Sequence, residues 1–153
     1  MLIRLFKQSD TEQIARLFHK TVREVNCADY SPEQLKAWAP DNIHFKDWES
    51  SCLSSHTFVA DDDGTIAGFA QLRETGYIDC FYCHKDYQKI GIGSMLFERI
   101  LQKARELHLK ELTVEASVTA RPFFRNKGFG LIIAQEVYRR GQVLKNFLMR
   151  KTI

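Results

Sequence analysis

The sequence predicts an α+β fold, a largely antiparallel sheet with helices on its faces. Three observations point there. Runs rich in β-formers at Leu2 to Phe6, His56 to Ala60, Thr65 to Leu72 and Tyr77 to Cys83 read as strands, and two of them flank Asp61-Asp62-Asp63-Gly64, whose Asp-Gly chemistry favours a hairpin. Apolar residues at helical spacing lie on either side of this block. Near the C-terminus, Gln135 to Arg139 and Val143 to Met149 form two more strands joined around Gly141.

Taken in chain order, the first strand is followed by Ser9 and, three residues on, Glu12, the pattern of a capping box. Ile14, Leu17, Phe18, Thr21, Val22 and Val25 then carry a helix to about Asn26. Ser31 as N-cap, Pro32 at the first helical position and Gln34 at the capping-box position start a second helix. Leu35 and Trp38 share one face of it, and Pro40 ends it. Ile43 to Leu53 reads as a further helix. After Cys83 comes a Gly-rich turn and then a long amphipathic helix, with Ile92, Leu96, Ile100, Ala104 and Leu107 along its buried stripe. Lys110 to Glu115 is a short strand, and Ala120 to Lys127 a short helix closed by Gly128.

With 153 residues, 44% hydrophobic and 27% charged, the chain has the make-up of one globular domain over 1–153. A formal charge of +3, spread along the chain without a basic stripe and interleaved aromatics, argues against a nucleic-acid partner and modestly favours an anionic ligand. Arg4 and Lys7 interrupt the only apolar run at the N-terminus, and no later run is long enough to span a membrane, so a cytoplasmic protein with no membrane partner is expected. Four cysteines are too few for a disulfide framework and read as reduced thiols. Cys80 and Cys83 have C-x-x-C spacing, but on a strand residues three apart face opposite ways, so no metal site is expected.

The turn Gln88-Lys89-Ile90-Gly91-Ile92-Gly93 carries the clearest chemistry. A strand feeding two glycines and a helix opening at about Ile92 aims free N–H groups and the positive end of a helix dipole at one point, which suits a pyrophosphate. A Cβ at the glycines would keep the phosphates off the backbone. Gln88 and Lys89 can add donors at the rim. A Gly-x-Gly after a strand also serves as a plain packing turn. A Walker loop is excluded by the lack of Gly-Lys-Ser/Thr, and a Rossmann loop by Leu96 where a third glycine would stand.

These residues resemble the GNAT superfamily of acetyl-CoA-dependent N-acetyltransferases, whose signature is Gln/Arg-x-x-Gly-x-Gly/Ala. Gln88, Gly91 and Gly93 match it, Ile78 to Tyr87 is similar to the family's approach to the turn, and Ala120 to Phe129 resembles its short helix ending in Gly-Phe. The resemblance covers essentially the whole chain. It implies a mixed, mostly antiparallel sheet whose fourth and fifth strands splay, with acetyl-CoA as co-substrate. The pantetheine would pair with Phe81, Tyr82 and Cys83, and the pyrophosphate would sit on Lys89, Ile90, Gly91, Ile92, Gly93 and Ser94 beside Gln88. Ser117 stands where many members have an Asn that contacts the coenzyme. Phe124 lies against the thiol, where many members carry a Tyr that protonates it, and a phenyl ring donates no proton.

The expected reaction is direct transfer of an acetyl group to a primary amine of a small molecule or peptide, with a coenzyme A-binding sensor module as the alternative that Phe124 keeps open. Amines with pKa near 10 need a carboxylate to deprotonate them. Asp79 is the candidate base and Glu115 the runner-up, although Asp79 could equally pair with Arg73. For the missing acid, Tyr138 is the first candidate and Tyr82 the second. Tyr30 and Trp38 belong to the segment that would roof the acceptor, or else are a surface ring and plain core. The chain is expected as monomer or homodimer.

Overall fold

The computed structural model describes residues 1–153. Its regular elements are β1 (Leu2–Leu5), α1 (Thr11–Glu24), α2 (Pro32–Trp38), α3 (Trp48–Leu53), β2 (His56–Asp62), β3 (Thr65–Leu72), β4 (Tyr77–Cys83), α4 (Ile92–Glu106), β5 (Glu111–Ser117), α5 (Arg121–Asn126), β6 (Gly130–Arg139) and β7 (Gln142–Thr152). The strands form a seven-stranded sheet in the order β1-β2-β3-β4-β5-β7-β6. Every neighbouring pair is antiparallel except β4 and β5.

Helices cover both faces. On one, α1, α2 and α3 bury Ile14, Leu17, Leu35 and Trp48 against Val59, Ile66 and Phe69. On the other, α4 and α5 bury Leu96, Phe97, Ile100 and Phe124 against Phe58, Ala70 and Leu112. The stripe Ile92, Leu96, Ile100 and Ala104 of α4 is buried throughout, which is what its helical spacing requires. Removing a fully buried ring such as Phe97 or Trp48 would cost about 3–5 kcal/mol. No helix is long and apolar enough to cross a membrane.

Local signals explain most boundaries. The Ser31 hydroxyl accepts from the Gln34 N–H at 3.1 Å, and the Gln34 carboxamide accepts from the Ser31 N–H at 2.8 Å, closing the capping box that starts α2. The Ser9–Glu12 box does not form. Gln8–Asp10 makes a single 3₁₀ turn instead, and the buried Asp10 carboxylate accepts from Arg4 at 2.8 and 2.9 Å and from the Lys7 N–H at 2.8 Å. A charged partner across the chain outcompetes a local hydroxyl cap. Between Ile43 and Leu53 only Trp48–Leu53 is helical, because Asp47 caps it by accepting from the Ser50 N–H at 3.0 Å. Strand β6 begins at Gly130 rather than Gln135; its Leu131, Ile132 and Ile133 lie exposed on the sheet edge, where burial imposes no alternation.

The decisive irregularity is on β4. Gln71 pairs with Cys80 but Leu72 pairs with Ile78, so Asp79 is an extra, bulged residue. β4 meets β5 only at Tyr77–Thr113 and Ile78–Val114. A bulge bends its strand, and beyond Asp79 the two strands part. It also resets side-chain alternation: Ile78, Phe81 and Cys83 pack toward α4, while Cys80 and Tyr82 pack toward α1. The His84 N–H bonds the Ala67 carbonyl at 2.8 Å. With the register of β3 and β4, this makes Phe69–Tyr82 and Gln71–Cys80 the mutually bonded pairs. Phe81 and Cys83 therefore turn their backbone N–H and C=O groups toward the gap.

Candidate active site

The gap between the parted strands is a cavity of about 670 Å³. Phe81, Tyr82 and Cys83 line one side and Ala116 and Ser117 the other, with Gln88, Lys89, Gly91, Ile92, Gly93 and Ser94 at one end. Phe124 lines it too, only 2% exposed and set among the rings of Phe81, Phe123 and Phe129 at centroid distances of 5.2 to 5.4 Å. The ring is wholly engaged in apolar packing.

The turn is held from behind. The Gln88 carboxamide donates to the carbonyls of Cys83 at 2.8 Å and His84 at 3.2 Å, so it braces the loop rather than offering donors at the rim. Lys89 and Gly91 both have left-handed backbone, with φ of 60° and 94°, which rolls successive N–H groups toward the start of α4. A Cβ on Gly91 would meet nothing within 4 Å, leaving open space over the helix N-terminus. Gly93 differs from expectation: its φ is not positive, and its missing Cβ makes room for the Phe123 ring rather than for a phosphate. The Ile90 side chain is 64% exposed and does not line the cavity. It sits at the outer apex of the turn. Lys127 reaches the first turn of α4 from α5 and donates to the Ser94 hydroxyl at 2.8 Å, adding a cation the turn itself does not encode.

This geometry fits a coenzyme with a pyrophosphate and a long polar arm. Free N–H groups at a helix N-terminus suit the diphosphate, and the inward-turned backbone of β4 offers an amide arm a strand-like partner. The Cys83 carbonyl is already taken by the Thr21 hydroxyl at 2.8 Å and by Gln88, which leaves its N–H and the groups of Phe81.

A second cavity of about 260 Å³ shares Trp38, Asp79, Tyr82, Glu115 and Ser117 with the first. Asp79, on the bulge, is bonded to Arg73 at 2.9 Å. Glu115 accepts from the Tyr77 hydroxyl at 3.0 Å and from the Gln135 carboxamide at 2.6 Å, both neutral donors. Burial pushes the Tyr82 phenol well above its ordinary range, with Trp38 opposing slightly, so it stays protonated at neutral pH. Burial likewise raises the Cys83 thiol to about 11, which removes it as a nucleophile. Cys80 and Cys83 belong to opposite faces of the sheet and do not converge.

Tyr138 does not reach either cavity. It is 77% exposed, because on β6 it alternates with Val137 and Arg139, the residues that face the second cavity. Tyr30 walls the second cavity with its ring, but its hydroxyl is spent, donating to the Lys145 carbonyl at 2.6 Å and accepting from the Val118 N–H at 2.9 Å. Ser117 accepts from the Ala120 N–H at 3.0 Å and so holds the turn into α5. Thr21 and Asn26 line the large cavity without having been singled out by the sequence. For Thr21 a signal existed, a hydroxyl within an otherwise apolar helical stripe.

A sheet opened between a parallel pair of strands, with a Gly-rich turn and helix N-terminus at its mouth, defines an acyltransferase architecture. Residues 26–152 match the family model of the acetyltransferase (GNAT) domain, and the chain belongs to that family. It is 33% identical over 148 residues to the uncharacterised N-acetyltransferase YafP of Escherichia coli K12, covering 97% of this chain and 93% of that protein. Among solved structures it superposes on a GCN5-related N-acetyltransferase from Rhodopseudomonas palustris with a TM-score of 0.93 and 28% identity, over 99% of this chain and 95% of that one. The PaiA N-acetyltransferase of Thermoplasma acidophilum, solved in complex with coenzyme A, shares the fold at a TM-score of 0.80 and 16% identity, over 99% and 98% of the two chains.

Proposed function

We propose that the chain transfers the acetyl group of acetyl-CoA directly to a primary amine of a small molecule or peptide. The observation that carries this reading is the opened β4–β5 gap, whose inward-facing backbone at Phe81 and Cys83 leads from the Gly91 turn to a second cavity walled by two carboxylates. Acetyl-CoA supplies the acetyl carbon that becomes bonded to the amine nitrogen as its bond to sulfur breaks. The N–H groups of Phe81 and Cys83 are the donors for the carbonyl oxygen as charge builds on it. Glu115 takes the proton lost by the amine, since it is held by neutral donors and opens to solvent, whereas Asp79 is committed to Arg73. Tyr82 gives its phenolic proton to the departing sulfur and regains one from solvent through the second cavity. The test is thiol release from acetyl-CoA with a panel of primary amines. Coenzyme binding without release for any amine would favour the sensor reading over transfer.

A further inference from the structure

The second cavity has a charge arrangement that the transfer reaction alone does not call for. The side chains of Lys46, Arg139 and Arg140 line it, and none of the three has a carboxylate partner. They come from two places in the chain, the loop before α3 and the β6–β7 hairpin, which meet where Arg140 packs on Phe45. All three make neutral contacts, Arg139 donating to the Tyr138 carbonyl at 2.9 Å. Arg140 donates to the Ala37 carbonyl at 2.7 Å and lies 4.9 Å from the Phe45 ring centroid, and the Lys46 ammonium lies 4.6 Å from that of Trp48.

The opposite charge is segregated. Asp79 and Glu115 line both cavities and so mark their junction, while the three cations line only the second. Arg73 offsets Asp79. An occupant thus meets carboxylates at the end nearest the parted strands and uncompensated cations at the other. A polyamine would place its second ammonium among those cations, at a cost in repulsion. A small amine with an anionic group matches both ends.

We infer that the acetyl acceptor is a small primary amine that also bears a carboxylate or phosphate, with the amine directed to Glu115 and the anion held among Lys46, Arg139 and Arg140. This rests on the acetyltransferase reading above and narrows its substrate class.

The test uses matched pairs, phenylalanine with phenethylamine and O-phosphoethanolamine with ethanolamine, alongside spermidine. The anionic member of at least one pair should exceed its neutral partner about tenfold or more in kcat/KM, the scale of one charge-assisted contact, and the pair showing the larger ratio identifies carboxylate or phosphate. In Arg139→Gln and Arg140→Gln, both at exposed positions, that ratio should fall through a higher KM, while turnover of the neutral member and, for Arg139→Gln, the melting temperature stay unchanged. Calorimetric binding of each amine to the protein with CoA present gives a readout independent of turnover. Transfer to neutral amines or spermidine as good as to the anionic amines overturns this inference and leaves the acetyltransferase reading intact. So does a ratio that the two variants leave unaltered. Failure of every anionic amine to bind the CoA-loaded protein overturns the inference whether or not any amine is acetylated. Absence of both CoA binding and thiol release overturns the acetyltransferase reading, and this inference with it.

Discussion

A Cβ built on Gly93 would come within 3.0 Å of the Phe123 Cε2 atom, so the start of α4 and the start of α5 touch through a glycine and a ring. Phe123 also packs on Phe81, Phe97 and Phe124, with centroids 5.2 to 6.4 Å away. Gly93→Val should therefore overpack the helix contact and destabilise the fold by about 1–3 kcal/mol as well as weaken CoA binding. Phe123→Leu in the same chain should recover part of the stability. Urea unfolding of the single and double variants checks this, and an unchanged midpoint for Gly93→Val would show that the contact yields freely.

Gly91 sets a different test. With φ of 94° and open space where a Cβ would go, Gly91→Ala should cost about 1–2 kcal/mol through backbone strain alone. Gly91→Asn should cost less, since Asn tolerates the left-handed region. Wild type at a hundred times the CoA dissociation constant should gain about 2.7 kcal/mol of stability. The melting temperature with and without CoA reads both effects.

The proton donor is the next point. Tyr82→Phe should lower turnover about a hundredfold to ten-thousandfold while CoA affinity stays nearly constant, because only the hydroxyl is lost. Tyr138→Phe should leave turnover unchanged, its side chain being 77% exposed and outside both cavities. Equal rates for wild type and Tyr82→Phe would mean that the sulfur departs without a tyrosine proton.

Acid stability follows from Asp10. Burial pushes its carboxyl up, but the bonds from Arg4 and the Lys7 N–H outweigh burial and hold it below 3.8. A lowered native pKa stabilises the fold fully above the unfolded value and loses that contribution as pH falls through the native one. Stability should thus decline below about pH 3.8, and Asp10→Asn should cost about 1–3 kcal/mol at pH 7 while flattening that decline. Urea midpoints at pH 7 and pH 3 measure it.

What the sequence made legible was local or periodic. The Asp-Gly hairpin, the Ser31–Gln34 box and the α4 stripe depend on residues within one turn or one heptad of each other. The Gly-rich turn was legible as a site for the same reason. The bulge at Asp79 was not, since one extra residue in a β-run leaves the composition of Tyr77 to Cys83 unchanged and is fixed only by pairing with Gln71 and Leu72. The facing of Tyr138 depended on the register of an edge strand with its own shift between Leu131 and Ile133. The role of Gly93 depended on Phe123, and the commitment of the Gln88 carboxamide on two carbonyls behind it. A distant partner such as Phe123 has no signature in the local chain, and the Gln88 bonds, although only four and five residues back, depend on how the turn folds.

The bulge on β4 also divides the sheet in time. Amides of a central strand usually exchange with solvent deuterons only through large-scale opening, whereas unpaired amides exchange through small local fluctuations. Because β4 leaves β5 after Ile78, the N–H groups of Phe81 and Cys83 lie in the middle strand of seven yet lack a strand partner on that side. They should exchange like an edge in the free protein and like a core when the gap is filled, so two amides at the centre of the molecule report on occupancy of its cleft.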